Sequence, residues 1–98
     1  MDNRIWKYTL AITDTQDIEM PSGARILSVA NQNGELCLWA LVPTANATKT
    51  RCIEIIGTGN PISPNHEASR RFIGTAVINP FVWHVFEWVH DSDLPAFA

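Results

Sequence analysis

The sequence predicts an all-β or β-rich α+β domain: a small antiparallel sandwich or barrel of about seven short strands, with at most one short helix. Three observations carry that expectation. Apolar residues recur with period two in most segments, as in half-buried strands. Turn-forming residues punctuate the chain between those segments. No segment of three helical turns or more has an amphipathic pattern, and there is no internal repeat.

The elements follow in order. In IWKYTLAI, Trp6, Tyr8, Leu10 and Ile12 fall on one side and Lys7 and Thr9 on the other, which predicts a half-buried strand. QDIEMP repeats the alternation more weakly through Ile18 and Met20, and Pro21-Ser22-Gly23 closes it as a turn. RILSVANQ and ELCLWALV flank Asn33-Gly34. Asn-Gly between two apolar runs predicts a hairpin, because both central residues of a type I′ turn need positive φ. The second run is apolar on both faces, so it is expected to be a central strand buried on both sides. PTANATKT reads as a polar connector and RCIEIIG as the next strand. Ser63-Pro64 has the form of a helix start, with Ser as cap and Pro at the first position. That helix must be short, since FIGTAVINP and FVWHVFEWVH then predict a closing pair of strands around Asn79-Pro80. Residues 1–98 are expected to form one domain, with 91–98, DSDLPAFA, as a loose tail.

Composition narrows the function classes. Seven Lys and Arg stand against ten Asp and Glu, a net charge of −3. Duplex nucleic acid is therefore not an expected partner, because such binding depends on neutralising many phosphates with cations. One phosphorylated small molecule held by one or two arginines remains compatible with this charge. No apolar run reaches the ~20 residues of a membrane span, and MDNRIWKYTL lacks the form of a secretory signal. The expectation is a cytoplasmic protein in a reducing compartment. Cys37 and Cys52 lie in strand-like runs without metal-finger spacing, so buried free thiols are expected, with no metal and no cofactor.

The stretch IEIIGTGNPISPN is the main candidate for a ligand loop. It lacks the lysine of a phosphate-binding P-loop, Pro61 stands where the helix should begin, and the third glycine of a dinucleotide fingerprint is missing. What survives is a flexible corner. Gly57 and Gly59 allow unusual φ and close backbone approach, Thr58 and Asn60 offer polar side chains, and Arg70 and Arg71 follow with charge. The plainer reading is a strand end stiffened by Pro61 and Pro64. Trp39 is expected either to stack on a ligand ring or to pack in the core or a subunit interface. His66, His84 and His90 have no nucleophile at triad spacing, and alternation sets His84 and Glu87 on opposite faces of one strand. No catalytic residue is nominated.

IWKYTL, IEMPSGARILSV, LWALV, IGTGNPI, FIGT and WHVFEW together resemble a family of small uncharacterised bacteriophage and prophage proteins, over roughly Ile5 to Trp88. In that family the LWALV run is often followed by Asp and the Gly-Thr-Gly by His, whereas this chain has Pro43 and Asn60. The resemblance implies no activity and makes a shared acid–base role at the loop less favoured. It implies a phage-encoded accessory protein acting on a host factor in a bacterial cell.

The functional expectation is a non-catalytic, homo-oligomeric binding protein that sequesters a small phosphorylated or nucleotide-like ligand in counter-defence. The ligand would be held by Gly57, Thr58, Gly59, Asn60, Arg70 and Arg71, with Trp39 against a ring. The alternatives are a protein–protein inhibitor that docks a strand edge or aromatic patch on a host enzyme, and a small hydrolase using His66 or His84.

Overall fold

A computed structural model describes residues 2–64 and 68–90. It contains seven strands: β1 (Asn3–Thr9), β2 (Thr15–Pro21), β3 (Arg25–Gln32), β4 (Glu35–Pro43), β5 (Thr48–Gly57), β6 (Ala68–Ile78) and β7 (Phe81–His90). All pairings are antiparallel. They build a three-stranded sheet ordered β1-β4-β3 and a four-stranded sheet ordered β2-β5-β7-β6. The protein is thus an all-β sandwich, and no helix occurs among the described residues.

The core lies where the two inner faces meet. Leu36, Leu38, Ala40 and Val42 of β4 meet Met20, Ile53, Ile55, Ala76 and Val85 from the other sheet, all buried. Alternation along β5 and β7 therefore turns Ile53, Ile55, Val85 and Glu87 inward. Cys52, Glu54, Ile56, His84, Phe86 and Trp88 turn outward. The central strand β4 is buried on its outer side as well at Cys37. Over that position Lys7 Nζ, in β1, donates to Gln32 Oε1, in β3, at 2.8 Å and bridges the two flanking strands. Both thiols are free.

Local chemistry accounts for the turns. Asn33 (φ 54°) and Gly34 (φ 85°) both take the positive φ that a type I′ turn demands, and Asn31 Oδ1 accepts from the Gly34 amide at 2.8 Å. At the β4–β5 corner, Asn46 Nδ2 donates to the Ser22 carbonyl at 2.7 Å and the Ser22 amide donates to Ala47 O at 2.7 Å. Those bonds dock the corner on the β2–β3 turn. Strand β5 begins at Thr48, within the segment expected to be connector, because Thr48–Thr50 continue the ladder against Glu19–Pro21. β6 and β7 form the closing hairpin, turning at Asn79-Pro80, whose peptide bond is cis.

The helix expected from Ser63 falls partly on residues 65–67, which lie outside the described residues. Pro61–Pro64 take no regular structure, and Ala68 already opens β6. The expected tail, 91–98, also lies outside the described residues. No helix among the described residues is long and apolar enough to cross a membrane.

The sandwich closes along one side where β3 and β6, edge strands of different sheets, approach each other. Asn31 Nδ2 donates to the Val77 carbonyl at 3.0 Å, and a Cβ on Gly74 would stand 3.0 Å from Val29 Cγ2. Each of these two strands carries a bulge, at Leu27 between Ile26 and Ser28 and at Ile73 between Phe72 and Gly74. Bulges bend a strand and re-aim its side chains, and here they flank an opening between β3 and β6.

Candidate functional site

The Gly-Thr-Gly corner is a turn with its polar groups already committed. The Asn60 amide donates to Gly57 O at 3.0 Å and the Thr58 amide to Val82 O at 3.2 Å. Gly59, at φ 88°, occupies the position of a type II turn that requires positive φ. Thr58 Oγ1 is hydrogen-bonded to His84 Nε2 at 2.7 Å, and His84 Nδ1 to Thr75 Oγ1 at 3.0 Å. Close approach explains Gly57: a Cβ there would lie 2.9 Å from Asn60 Nδ2 and 3.1 Å from the Trp83 ring. The corner therefore presents few open donors to an anion.

The nominated residues do not converge. Gly57 pairs with Trp83, whereas Arg70 pairs with Trp88 and Arg71 with Glu87. At about 3.3 Å per residue, both arginines lie roughly 13–17 Å along the sheet from the loop. Arg70 faces outward and is engaged. Its Nε donates to Glu54 Oε1 at 2.5 Å and its Nη2 to Oε2 at 3.3 Å, and its guanidinium lies 5.7 Å from the centre of the Trp88 ring. The hydrogen bond to Glu54, foremost, holds Arg70 more firmly protonated than usual, against burial. Trp39 is on β4 of the other sheet, between Lys7 and Ser28, and faces away from the core.

Arg71 does reach a cleft, in the company of residues that sequence reasoning did not nominate. The cleft has a volume of about 400 Å³ and lies between β3 and β6, lined among others by Arg25, Leu27, Arg51, Arg71, Ile73 and Glu87. That volume lies within the usual range of small-molecule sites. Its floor is an ion pair on the inner face. Arg51 Nε and Nη2 donate to the two Glu87 carboxylate oxygens, the second at 3.0 Å, and Nη1 donates to Ala24 O at 2.8 Å. The side chains of Arg51 and Glu87 are 16% and 4% exposed. A buried charge is tolerable only when paired and hydrogen-bonded, and this fork-to-fork arrangement satisfies both groups. Arg25 and Arg71 border the opening from opposite strands, exposed and with no carboxylate partner among the described residues.

Electrostatics favour an anion here. The carboxylate in the cleft is neutralised by Arg51, which leaves the Arg25 and Arg71 guanidinium groups without a carboxylate partner among the described residues. Tyr8, on the inner face of β1, has a hydroxyl with no hydrogen-bond partner; burial pushes its acidity down, so its pKa rises, while the Arg51 charge opposes that shift. The Cys52 thiol is also pushed up, first by burial and then by Asp17 and Glu54 beside it, so it is no activated nucleophile. His84 and Glu87 point to opposite faces of β7, as alternation predicts. Among the described residues no group of three or more His, Cys, Asp and Glu could hold a metal ion.

Two signals in the sequence pointed to this floor. Arg51 is in phase with Ile53 and Ile55, and Glu87 with Val85, so each places a charge on a core-facing row. A charge in that position requires a partner of opposite sign. The positions of Arg25 and Arg71 carried no comparable signal, because only the approach of β3 to β6 sets them on one opening.

The chain belongs to a family described as a domain of unknown function (DUF7352), whose model matches residues 1–94. No curated protein and no solved structure matches it.

Proposed function

We propose that this protein is a non-catalytic binding module that captures a small phosphorylated ligand in the cleft between β3 and β6. The observation that carries this reading is a pair of guanidinium groups, Arg25 and Arg71, with no carboxylate partner among the described residues, on opposite walls of a cleft of about 400 Å³ whose acidic group is neutralised by Arg51. Planar guanidinium groups bind phosphate oxygens through paired, charge-assisted hydrogen bonds. Two of them across one opening suit a dianion such as a phosphate monoester of nucleotide size. The ligand site moves accordingly from the Gly57–Asn60 corner to Arg25 and Arg71, with Arg51 and Glu87 beneath. Capture without turnover fits a cleft whose carboxylate is held by a bidentate arginine and therefore is a poor general base.

The resemblance to phage and prophage proteins supplies a setting. Withdrawal of a host nucleotide-like signal would serve counter-defence, with the bacterial cytoplasm as the place of action. Thermal unfolding against inorganic phosphate, nucleoside monophosphates and cyclic nucleotides tests the class of ligand. A compound present at ten times its Kd adds about 1.4 kcal/mol, or about 6–11 °C in a domain of this size. Stabilisation by a phosphorylated compound and not by its dephosphorylated parent is the expected result. Equal behaviour of the two would reject capture of a phosphate.

A further inference from the structure

We infer that the outer face of the four-stranded sheet is a docking surface for a second copy of this chain, and that the protein is a two-fold dimer stacked through it. The inference is independent of the arginine cleft.

A solvated face of an antiparallel sheet ordinarily reads as polar. This one presents Ile56, Val82, Phe86 and Trp88 on β5 and β7, with Phe72 and Val77 on β6, the last two 57% and 52% exposed. The Phe72 and Phe86 rings pack with centroids 5.4 Å apart, forming a ridge on the face. Aromatic side chains and arginine are the types enriched in the centres of interfaces, and polar groups belong at the rim. The rim is present as well, in Asp17 and Glu19 of β2, where Thr50 Oγ1 donates to Glu19.

At the centre of the face the ionisable groups are engaged before any partner arrives. Arg70 and Glu54 form a bidentate pair with side chains 17% and 11% exposed, and both His84 nitrogens are hydrogen-bonded to threonine hydroxyls. Such a face can be dehydrated without stranding an unpaired charge. The Trp88 indole N–H is the exception, a buried donor without a partner. At its centre the one cation and one anion are already joined, so no free cation is there to select a phosphate or a nucleic acid, and the carboxylates of Asp17 and Glu19 stand only at the β2 edge. It is matched instead to a surface that is itself apolar with a neutral centre, which is what a second copy offers under two-fold symmetry.

The area is sufficient. Four strands at about 4.8 Å spacing and ten residues at about 3.3 Å give roughly 600 Å² per copy, or roughly 1,200 Å² in total, the lower bound of standard specific interfaces. Stacking at about 10 Å with aligned strands is the ordinary way two sheets pack.

Sedimentation equilibrium between about 5 and 200 µM chain tests this directly, since dimer population depends on concentration. The wild type is expected at twice the 10.9 kDa chain mass. Val77→Glu and Val77→Lys, at an exposed position on this face and away from the cleft, should each raise the dimer Kd at least tenfold while far-UV circular dichroism stays unchanged. Ile5→Glu, exposed on the other sheet, should leave the dimer intact. A wild type that stays monomeric at the top concentration, including one that binds a different protein through this face, overturns the inference. So does a dimer that both Val77 variants leave intact, or one that Ile5→Glu dissociates.

Discussion

Replacing Glu87 by glutamine separates the two jobs of the ion pair beneath the cleft. In the native protein Arg51 grips both carboxylate oxygens of Glu87 and the Ala24 carbonyl, and Glu87 is 3% exposed. Glutamine keeps the shape and one acceptor but leaves the guanidinium charge without its counter-charge. Breaking a buried pair on one side costs about 3–5 kcal/mol, and retention of the acceptor places this variant near the lower end. A domain of this length has about 5–15 kcal/mol of stability in all, so the loss is large but leaves the fold standing. In urea unfolding the midpoint should fall by about 1–3 M. The same change makes the cleft more positive, so inorganic phosphate should bind the variant more tightly than the wild type. Phosphate should accordingly close part of the stability gap, by about 1 kcal/mol, through selective binding to the folded state. A midpoint shift below a few tenths of a molar would refute the buried-pair reasoning. A normal loss of stability with no differential rescue by phosphate would refute the link between the pair and the anion site.

Three further outcomes follow from the same geometry. Tyr8→Phe removes a buried hydroxyl that has no partner, so stability at neutral pH should stay level or rise by about 1 kcal/mol in thermal unfolding. Burial raises the Tyr8 pKa above its ordinary value of 10.0, so its contribution is fully present below pH 10 and is lost as pH rises through the native value. The alkaline limb of the stability curve should therefore be shallower in Tyr8→Phe, which a pH series of urea melts measures. Gly59→Ala should cost about 1–2 kcal/mol, from backbone strain alone, because φ is 88° and nothing lies within 4 Å of the added methyl. Its affinity for phosphate in calorimetry should match the wild type; a loss there would return the ligand site to the Gly57–Asn60 corner.

Much of the fold was legible because it rests on local chemistry. Asn33-Gly34 fixes a hairpin through the φ values its turn requires, and the doubly apolar β4 run fits only a central strand. The hairpin around Asn79-Pro80 is likewise a matter of adjacent segments. Strand limits were less legible. Thr48–Thr50 look like connector by composition, and become strand only because Glu19–Pro21 offer a ladder. The candidate site was the least legible part. Gly57, Thr58, Gly59 and Asn60 attract notice as a glycine-rich string, yet the backbone uses them to close a turn. Arg70 looked available and is spent on Glu54, while Arg25 drew no notice and has no carboxylate partner among the described residues. The difference lies in register and in the approach of two edge strands, both set by packing between segments far apart in the chain.

In the proposed function Arg25 and Arg71 hold a phosphorylated ligand together. Isothermal titration of a nucleoside monophosphate into the wild type, Arg25→Ala, Arg71→Ala and the double variant tests it most directly. Each charge-assisted contact is worth about 1.5–3 kcal/mol, so each single variant should lose roughly 10- to 150-fold in affinity. The double variant should show no measurable binding, with unfolding midpoints unchanged throughout. Binding that survives in the double variant would contradict the claim.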